Sequence, residues 1–307
     1  MAAPNWSLPA DSASQTYVSV SAIPVGSLYL ADKEVFEDMI HQESQQLKGT
    51  GRRVPSFSFL IQHEKHGRAL FDLGMRKHGQ GYPPEIQKDL HPFWTKCKTD
   101  IVDLLDAGKL KPSDISTVIY SHLHFDHIGD LTPFSSALLV AGSGAAPAFA
   151  SPYPQNPEGQ VHPLPAGQKV RYIDFALGKP LGPFSKAIDY FGDGSFYLID
   201  APGHSAGHLC ALARTGPNQF VLLAADCCHH RLCYNPGERL VSSENHEDIA
   251  VARHTVELLK SAHKAKNLVV LLAHDDILVP ELGEENLFPA GTLNGWAGRA
   301  IEKKKLL

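Results

Sequence analysis

The sequence predicts a layered α/β sandwich built around one core. Short runs of mainly apolar residues recur along the chain, and several are apolar at nearly every position, as expected of strands covered on both faces. Between these runs lie segments whose apolar residues recur at the spacing of one helix face. Because the strand-like runs occur in both halves of the chain, we expect sheets with helices on the outside.

The predicted strands cover residues 16–22, 56–62, 69–73, 117–120, 196–200, 220–225 and 268–273. The two clearest helical stripes consist of Ile101, Leu104 and Leu105, and of Ile249, Ala252, Val256 and Leu259. We expect Gly108 to end the first helix, because glycine commonly follows the last helical turn. We expect Asn245 to cap the N-terminus of the second, because its short polar side chain can accept a hydrogen bond from the first turn.

Length and composition are those of an ordinary globular protein. The chain has 307 residues, of which 43% are hydrophobic and 20% charged, and we expect residues 1–307 to form a single domain. Residues 141–195 are rich in Gly and Pro and show few periodic signals. A connection of this length commonly covers a site or contains short strands. We interpret it as an excursion within the domain, because candidate metal ligands lie on both sides of it.

Charge, terminal residues and cysteine content argue against several classes of partner and location. The net charge is −5 without a long basic run, so we expect neither nucleic-acid nor membrane binding. We interpret Lys303, Lys304 and Lys305 as a solvated chain end. Residues 1–15 lack the pattern of a secretory signal, and no apolar run approaches the roughly 18 residues of a membrane span. Five unevenly spaced cysteines do not make a disulfide framework, which favours a reduced, cytoplasmic protein.

The spacing of the seventeen histidines indicates a metal site. The motif SHLHFDH, residues 121–127, directly follows the predicted strand 117–120. Three further candidates each follow a predicted strand: His204, Asp226 and His274. Because the chemistry of α/β proteins lies at the carboxyl ends of strands, we expect these side chains to meet in one crevice.

The residue types suit a pair of zinc ions. Imidazole nitrogen with some carboxylate oxygen is the ligand set that Zn²⁺ favours, and catalytic zinc sites keep one position open for water. Two such ions about 3.5–4 Å apart can bridge a hydroxide and lower the pKa of bound water to about 7. A carboxylate must join the pair, and Asp226 is the candidate. The sequence therefore predicts two Zn²⁺, with other divalent transition metals as alternatives.

With these motifs the sequence resembles the metallo-β-lactamase superfamily, from Asp72 in Phe71-Asp72-Leu73-Gly74 through His274. The resemblance implies a four-layer αβ/βα sandwich of two packed mixed β-sheets with outer helices. It also implies that the first metal is held by His122, His124 and His204, and the second by Asp126, His127 and His274, with Asp226 bridging both. Asp72 would orient a ligand histidine from behind.

Within the superfamily, the resemblance favours the lactonase branch. The commonest β-lactamases have Cys where this chain has Asp226, and flavin-partnered di-iron relatives have Glu at the position of His124. The turn PGHSAGH, residues 202–208, resembles that of N-acyl homoserine lactonases, and fungal γ-lactamases are a related alternative. Glyoxalase II relatives carry a longer helical C-terminus, whereas one short helix is expected here after His274. Tyr82, Phe93 and Trp94 either wall an apolar pocket or pack on the core.

The resemblance implies a dinuclear-metal hydrolase that opens a lactone or lactam ring by attack of a metal-bridging hydroxide. Lactonases have a Tyr three residues after the bridging Asp, where this chain has His229. We expect His229 or Tyr234 to bind the oxyanion, and Asp226 to take the proton of the nucleophile. The candidate catalytic residues are therefore Asp126, Asp226, His229 and Tyr234.

Other functions stay open from the sequence. A thioesterase or a phosphodiesterase would use the same metals, and a non-enzymatic metal-binding protein would keep the ligands without turnover. Cys227 and Cys228 are either buried packing residues or additional ligands. We expect a small-molecule substrate with an apolar or aromatic portion. The oligomeric state is open, with a homodimer as one alternative.

Overall fold

The computed structural model describes residues 6–40 and 50–305, apart from the side chains of Asp89 and Lys305, so part of the segment expected to lack a secretory signal lies outside it. The strands are β1 (Ser19–Ala31), β2 (Gly51–His63), β3 (Gly67–Phe71), β4 (Thr117–Ile119), β5 (Leu138–Gly142), β6 (Lys169–Ile173), β7 (Lys179–Leu181), β8 (Phe184–Asp189), β9 (Phe196–Asp200), β10 (Leu209–Gly216), β11 (Gln219–Leu223) and β12 (Leu268–Leu271). The helices are α1 (Asp32–Val35), α2 (Pro84–Leu90), α3 (Ile101–Ala107), α4 (Phe125–Ile128), α5 (Ala146–Ala150), α6 (Ile249–His263), α7 (Leu278–Leu282) and α8 (Leu293–Lys305).

The strands form two six-stranded sheets, ordered β1-β2-β3-β4-β5-β6 and β12-β11-β10-β9-β8-β7. In the first sheet, β1, β2 and β3 are antiparallel neighbours, and β3 to β6 are parallel. In the second, β11 and β12 are parallel and the other neighbours are antiparallel. Both sheets are mixed and carry helices, which confirms the predicted fold class.

Strand periodicity explains how the sheets pack. In β3, Ala69 and Phe71 belong to one buried cluster and Leu70 to another, because successive side chains of a strand point to opposite faces. The first cluster also contains Leu198 and Val221 of the second sheet, so it fills the space between the sheets. The prediction of one core was therefore wrong: each sheet is apolar on both faces, and the buried apolar residues form two clusters.

The cluster that contains Leu70, here called the outer cluster, lies under the two helices that the sequence predicted. Leu105 of α3 and Leu259 of α6 are both fully buried in it. As expected, α3 ends at Gly108. The predicted N-cap of α6 was wrong: Asp248 accepts a hydrogen bond from the Val251 N–H, while Asn245 ends a short 3-10 helix.

The Gly- and Pro-rich segment 141–195 contains short strands, which is one of the two expected outcomes. It includes α5 and the strands β6, β7 and β8. The sequence did not predict these strands because exposed residues interrupt their apolar pattern. β6 and β7 are edge strands, and β6 exposes Lys169 and Arg171. β8 lies next to the edge strand β7 and exposes Ser185 and Lys186. β10 also escaped it, because its buried residues are largely small ones with weak strand preference.

The C-terminal segment is more structured than expected. Instead of one short helix, α7 and the longer α8 follow His274, and α8 packs against both sheets. Lys304 is partly buried, contrary to the expected solvated chain end: its ammonium group donates hydrogen bonds to the carbonyls of His263, Ala265 and Leu268. It thereby satisfies carbonyl groups at and after the end of α6. Within the described ranges, none of the helices has the length and apolar character needed to cross a membrane.

Candidate metal centre

The candidate ligands lie where four strands end at one edge of the sandwich. β4 leads into the 121–127 motif, and β9, β11 and β12 lead to His204, Asp226 and His274 respectively. β9 and β11 run in the same direction because both are antiparallel to β10, and β11 is parallel to β12. Their carboxyl ends therefore meet, as the sequence predicted.

A glycine allows the turn before His204 to pass close to α6. Gly203 has φ +118, and a Cβ atom added there would lie only 2.3 Å from the backbone nitrogen of Ala252. The hydroxyl of Thr255 donates to the carbonyl of Pro202 at 2.7 Å, which attaches the turn to the same helix. Close packing of backbone on backbone requires glycine here and fixes the position of His204.

The first ligand set consists of His122, His124 and His204. His204 Nε2 lies 3.2 Å from His122 Nε2 and 3.0 Å from His124 Nδ1. Two nitrogen ligands of a tetrahedral zinc ion, each bound at about 2.0–2.1 Å, lie about 3.3 Å apart. The spacing of the three nitrogens therefore fits one cation between them.

Hydrogen bonds hold the ring protons of two ligand histidines away from the centre. His204 Nδ1–H donates to the carbonyl of Asn245 at 3.0 Å, and His274 Nδ1–H donates to the carbonyl of Pro55 at 2.7 Å. A backbone carbonyl can only accept, so in each ring the proton must lie on Nδ1. When the ring is neutral, Nε2 therefore offers its lone pair to the centre, which is the form that binds a metal.

Asp72 orients two more ligand histidines. Its Oδ2 accepts hydrogen bonds from His127 Nδ1–H at 2.9 Å and from the Ser121 hydroxyl at 2.7 Å, and its Oδ1 accepts from the Ser121 N–H at 2.7 Å. Ser121 Oγ in turn accepts from His122 Nδ1–H at 3.0 Å. One buried carboxylate therefore fixes a histidine of each ligand set, His127 directly and His122 through Ser121.

The second ligand set consists of Asp126, His127 and His274, whose ligand atoms lie within 4.8 Å of one another. His274 Nε2 is 3.1 Å from Asp126 Oδ2. In the described part of the chain, the buried His127 Nε2 has no hydrogen-bond partner of good geometry. Buried polar atoms without a partner are rare and costly, so this nitrogen fits a site for a cation.

One oxygen of Asp226 contacts both sets. Asp226 Oδ2 lies 3.2 Å from His127 Nε2, 3.3 Å from His274 Nε2, 3.6 Å from His204 Nε2 and 3.8 Å from His122 Nε2. Asp226 Oδ1 is buried and has no hydrogen-bond partner within residues 6–40 and 50–305. One oxygen of Asp226 is therefore within 3.8 Å of nitrogen atoms from both ligand sets.

Burial and neighbouring charges give the two sets different protonation. Burial, reinforced by the nearby His127, holds the pKa of His122 well below its usual range. Burial also lowers the pKa of His274, but the carboxylate of Asp226 outweighs it and raises that pKa to about 10. Burial opposes ionisation of Asp226, yet His274 and His127 hold its pKa well below the usual range. Since metals bind the deprotonated ligands, a cation entering the second set must displace protons.

A cavity of about 370 Å³ opens beside the ligands. Its apolar wall is formed by Leu28, Leu30, Ile86, Phe93 and Phe125. Its polar wall is formed by Gln160, His229, Asn245 and Glu247, and its metal-facing side by His124, Asp126, Asp226 and His274. The wall thus draws on Ile86 and Phe93 between β3 and α3, on Gln160 of the segment 141–195, and on β1, which the sequence did not indicate.

The three aromatic residues singled out from the sequence have different positions. Phe93 lines the cavity. The hydroxyl of Tyr82 donates to the carbonyl of Phe125 at 2.8 Å, so Tyr82 supports the wall from behind. Trp94 is 60% exposed and packs against Tyr29.

The structure brings His229, and not Tyr234, to the candidate site. His229 Nε2 lies 3.2 Å from Asp226 Oδ2 and 3.3 Å from Asn245 Nδ2. The 3-10 turn Arg231–Cys233 directs the chain away from the cavity, so that Tyr234 is buried against the ring of His263. Tyr234 does not line the cavity, and the oxyanion-binding alternative that relied on it loses its geometric basis.

The cysteines near Asp226 lie in the core. Cys227 Sγ is 3.2 Å from Cys210 Sγ, and both side chains are buried. Cys228 is fully buried as well, and neither Cys227 nor Cys228 lines the cavity. Their position matches the packing alternative.

Three residues of the centre were not anticipated: Ser121, His208 and Asn245. Ser121 lies in the 121–127 motif and His208 in the turn 202–208. Neither residue was predicted to be a metal ligand, so nothing in the sequence assigned them to the centre. Asn245 approaches the ligands only because the chain returns to the site before α6. Their partners are visible only in the folded chain.

Comparison with known proteins supports the assignment of the fold. The model of the metallo-beta-lactamase superfamily matches residues 51–220. The metallo-hydrolase mfmC of Annulohypoxylon moriforme is 35% identical, over 80% of this chain and 76% of that protein. The gamma-lactamase FDB1 of Fusarium pseudograminearum (strain CS3096) is 30% identical, over 80% of this chain and 71% of that protein.

A further relative is much longer than this chain. The cytochrome P450 monooxygenase mpaDE of Penicillium roqueforti (strain FM164) is 34% identical over 82% of this chain, but the match spans only 33% of that protein. Among solved structures, the crystal structure of a quorum-quenching N-acyl homoserine lactone hydrolase superposes with a TM-score of 0.67 at 20% identity. That match covers 89% of this chain and 98% of the lactone hydrolase.

The family model covers more than half of the chain, and the matched range contains the 121–127 motif and His204. The chain belongs to the metallo-beta-lactamase superfamily and is a metal-dependent hydrolase.

Proposed function

We propose that this protein hydrolyses the ring of a lactone or lactam with the help of two divalent cations. The observation that carries the proposal is the position of Asp226, whose Oδ2 lies within 3.2–3.8 Å of histidine nitrogens from both ligand sets. This oxygen lies beside a cavity that has an apolar wall. Bound there, the two cations would polarise the scissile carbonyl and activate a water molecule.

The donor set favours zinc as the proposed metal. Both sets contain imidazole nitrogen, and the second adds the carboxylate of Asp126. Zinc accepts such mixed nitrogen and oxygen ligands in tetrahedral geometry, whereas magnesium and calcium prefer oxygen alone. Asp126 is proposed to act as a ligand of the second cation, since its Oδ2 lies 3.1 Å from His274 Nε2 in the same ligand set.

Two residues of the chain are proposed to act on the reacting atoms. His229 lines the cavity, and its imidazole is placed to donate a hydrogen bond to the oxyanion that forms on the substrate carbonyl. Asp226 Oδ1, which is free of other hydrogen bonds among the described residues, is placed to take the proton of the attacking water. The same proton can then pass to the ring oxygen or nitrogen that leaves.

The cavity lining supports a neutral ring substrate over phosphodiesters or thioesters of large anionic carriers. Among the described residues that line the cavity, none is Lys or Arg, and Glu247 adds negative charge. The two proposed cations would neutralise one anionic group, but the remaining charges of a large acidic carrier need further positive charge, which this wall does not provide. The apolar wall instead suits a substrate with an apolar or aromatic portion. FDB1, named a gamma-lactamase, supports the lactam as an alternative to the lactone.

A substrate panel with metal control tests the proposal. The zinc-loaded protein is expected to open a γ-lactone or an aromatic-fused γ-lactam at least about tenfold more efficiently than it cleaves a thioester or bis-p-nitrophenyl phosphate. Removal of metal by a chelator should abolish turnover, and added Zn²⁺ should restore it. Equal or better cleavage of the thioester or phosphodiester would contradict the substrate class. Near-normal hydrolysis by metal-free His122→Ala would contradict the metal-dependent scheme.

His229→Ala is expected to lower kcat by about 10²–10³-fold, the usual loss when one oxyanion donor is removed. Because His229 belongs to neither ligand set, the zinc content of the variant should equal that of the wild type. Tyr234→Phe is the matched control: its hydroxyl lies outside the cavity, so kcat should not change. Steady-state kinetics measure kcat, and metal analysis measures the zinc content of each variant. A loss of zinc from His229→Ala would make His229 a ligand, and an equal kcat loss in Tyr234→Phe would refute the assignment.

A further inference from the structure

His208 uses both ring nitrogens although it belongs to neither ligand set. It precedes β10 and is 1% exposed. Its Nδ1–H donates to the carbonyl of Ala201 at 2.8 Å, and its Nε2 accepts a hydrogen bond from the N–H of Asp226 at 3.2 Å. The ring thus connects two turns that carry candidate ligands.

The two partners determine the tautomer of this ring. The carbonyl of Ala201 can only accept, so His208 Nδ1 must carry a proton. The N–H of Asp226 can only donate, so His208 Nε2 must offer a lone pair. The ring is therefore neutral with its single proton on Nδ1, and its acceptor points at the main chain of the proposed bridging residue.

The contact with His208 lies next to a strained backbone conformation. Ala225, just before it, has φ +44, a left-handed conformation that residues with a Cβ atom rarely adopt. The carbonyl of Ala225 is held by the N–H of Ala273 at 3.1 Å, whereas the N–H of Asp226 is held by His208. A strained turn persists only when the surrounding structure determines it. Here the hydrogen bonds to Ala273 and His208 hold the C=O and the N–H of the Ala225–Asp226 peptide, and so stabilise the strained turn.

The second end of the ring reaches the turn of another ligand. Ala201 begins the turn that leads through Pro202 and Gly203 to His204. His208 therefore links a ligand of the first set to the carboxylate that lies between the sets. Movement of either turn would lengthen one of the two hydrogen bonds.

An alternative role for His208 is excluded by the same geometry. Ligand atoms of His208, Cys210 and Cys227 lie within 4.8 Å of one another, which is close enough for a third cation. The Nε2 lone pair of His208 is already occupied by the N–H of Asp226, and its Nδ1 carries a proton. No free imidazole nitrogen remains for a metal in that trio.

We propose that His208 is a positioning residue, which holds the bridging carboxylate in place by accepting the main-chain N–H of Asp226. The proposal rests on the bridging role of Asp226 in the proposed function. Its consequence is that His208, without touching a cation, sets the affinity of the weaker-binding cation of the pair. The contact acts on the direction of the Asp226 side chain, which must reach both ligand sets with one oxygen.

Two amide substitutions separate this role from packing. His208→Gln and His208→Asn both remove the ring, but only the longer Gln reaches the position of Nε2, whereas Asn reaches the position of Nδ1. His208→Asn is expected to weaken binding of the second zinc by about 10–100-fold, as loss of a residue that supports metal ligands usually does. His208→Gln should retain most of the wild-type affinity. Zinc titration against a chelating indicator measures this without reference to turnover.

The outcomes are distinguishable from failure of the proposed function. Wild-type zinc affinity in both variants, or equal loss in both, would overturn the positioning role. Should neither variant fold, ¹⁵N NMR of the wild-type zinc protein decides: a protonated Nδ1 and a coupling between Asp226 N–H and His208 Nε2 are expected, and their absence overturns the proposal. A wild-type protein that binds two zinc ions but opens no lactone or lactam would refute the function and leave the His208 titrations interpretable.

Discussion

Asp226→Asn is expected to lower kcat/KM by about a thousandfold or more and to reduce bound zinc below two equivalents per chain. Asparagine keeps the shape of the side chain but replaces one oxygen by an amide and removes the charge that faces both ligand sets. Loss of several kcal/mol of cation-dependent stabilisation corresponds to a factor of this size, since each 1.36 kcal/mol is about tenfold. Kinetics with the best ring substrate, together with metal analysis, measure both effects.

Asp200→Asn provides the control for this substitution. Asp200 also ends a strand of the second sheet and is half-buried, but it faces Lys186 at 3.9 Å and does not line the cavity. Its turnover and zinc content should match those of the wild type. If Asp226→Asn kept two zinc ions and normal turnover, Asp226 could not be the bridging ligand.

Asp72→Asn is expected to weaken zinc binding by about 10–100-fold and to lower the free energy of unfolding by about 3 kcal/mol. Asp72 is 1% exposed and accepts three hydrogen bonds, two of them from Ser121 and one from His127. An amide NH₂ group in place of Oδ2 would face the donors of Ser121 and His127. Because asparagine tolerates the φ of +64 at this position, the change tests hydrogen bonding without adding backbone strain. Zinc titration and urea unfolding of the metal-free protein measure the two losses.

Ser121→Ala is the graded comparison. It removes the link from Asp72 to His122 but leaves the 2.9 Å bond between Asp72 and His127. We therefore expect a smaller loss of zinc affinity than in Asp72→Asn. Equal losses in the two variants would show that the direct bond to His127 contributes nothing, and full zinc affinity in Asp72→Asn would remove Asp72 from the centre.

Much of the fold was predictable because its signals are local. The strands β4, β9, β11 and β12 are dense apolar runs, and each is followed directly by a candidate ligand, so the strand ends and their polar residues could be located together. The strands β6, β7 and β8, which lie at or next to a sheet edge, could not be located in this way. Their pairing depends on neighbours in the sheet, and exposed residues such as Lys169 dilute their apolar pattern. The cap of α6 was misplaced because Asn245 and Asp248 are equally suitable by residue type, and only the direction of the chain separates them.

The sequence by itself determined which side chains could bind metal, because metal coordination depends on residue type and the spacing in the 121–127 motif places several ligands on one short turn. The tertiary structure alone decided how those ligands are held and which residue joins them from outside. Asp72 and His127 are 55 residues apart, and His208 and Asp226 are 18 apart, so no local pattern relates them. The choice between His229 and Tyr234 was also tertiary. The 3-10 turn Arg231–Cys233 separates His229, which lines the cavity, from Tyr234, which lies in the core. Such a turn is stabilised by packing against distant parts of the chain, which the local sequence does not reveal.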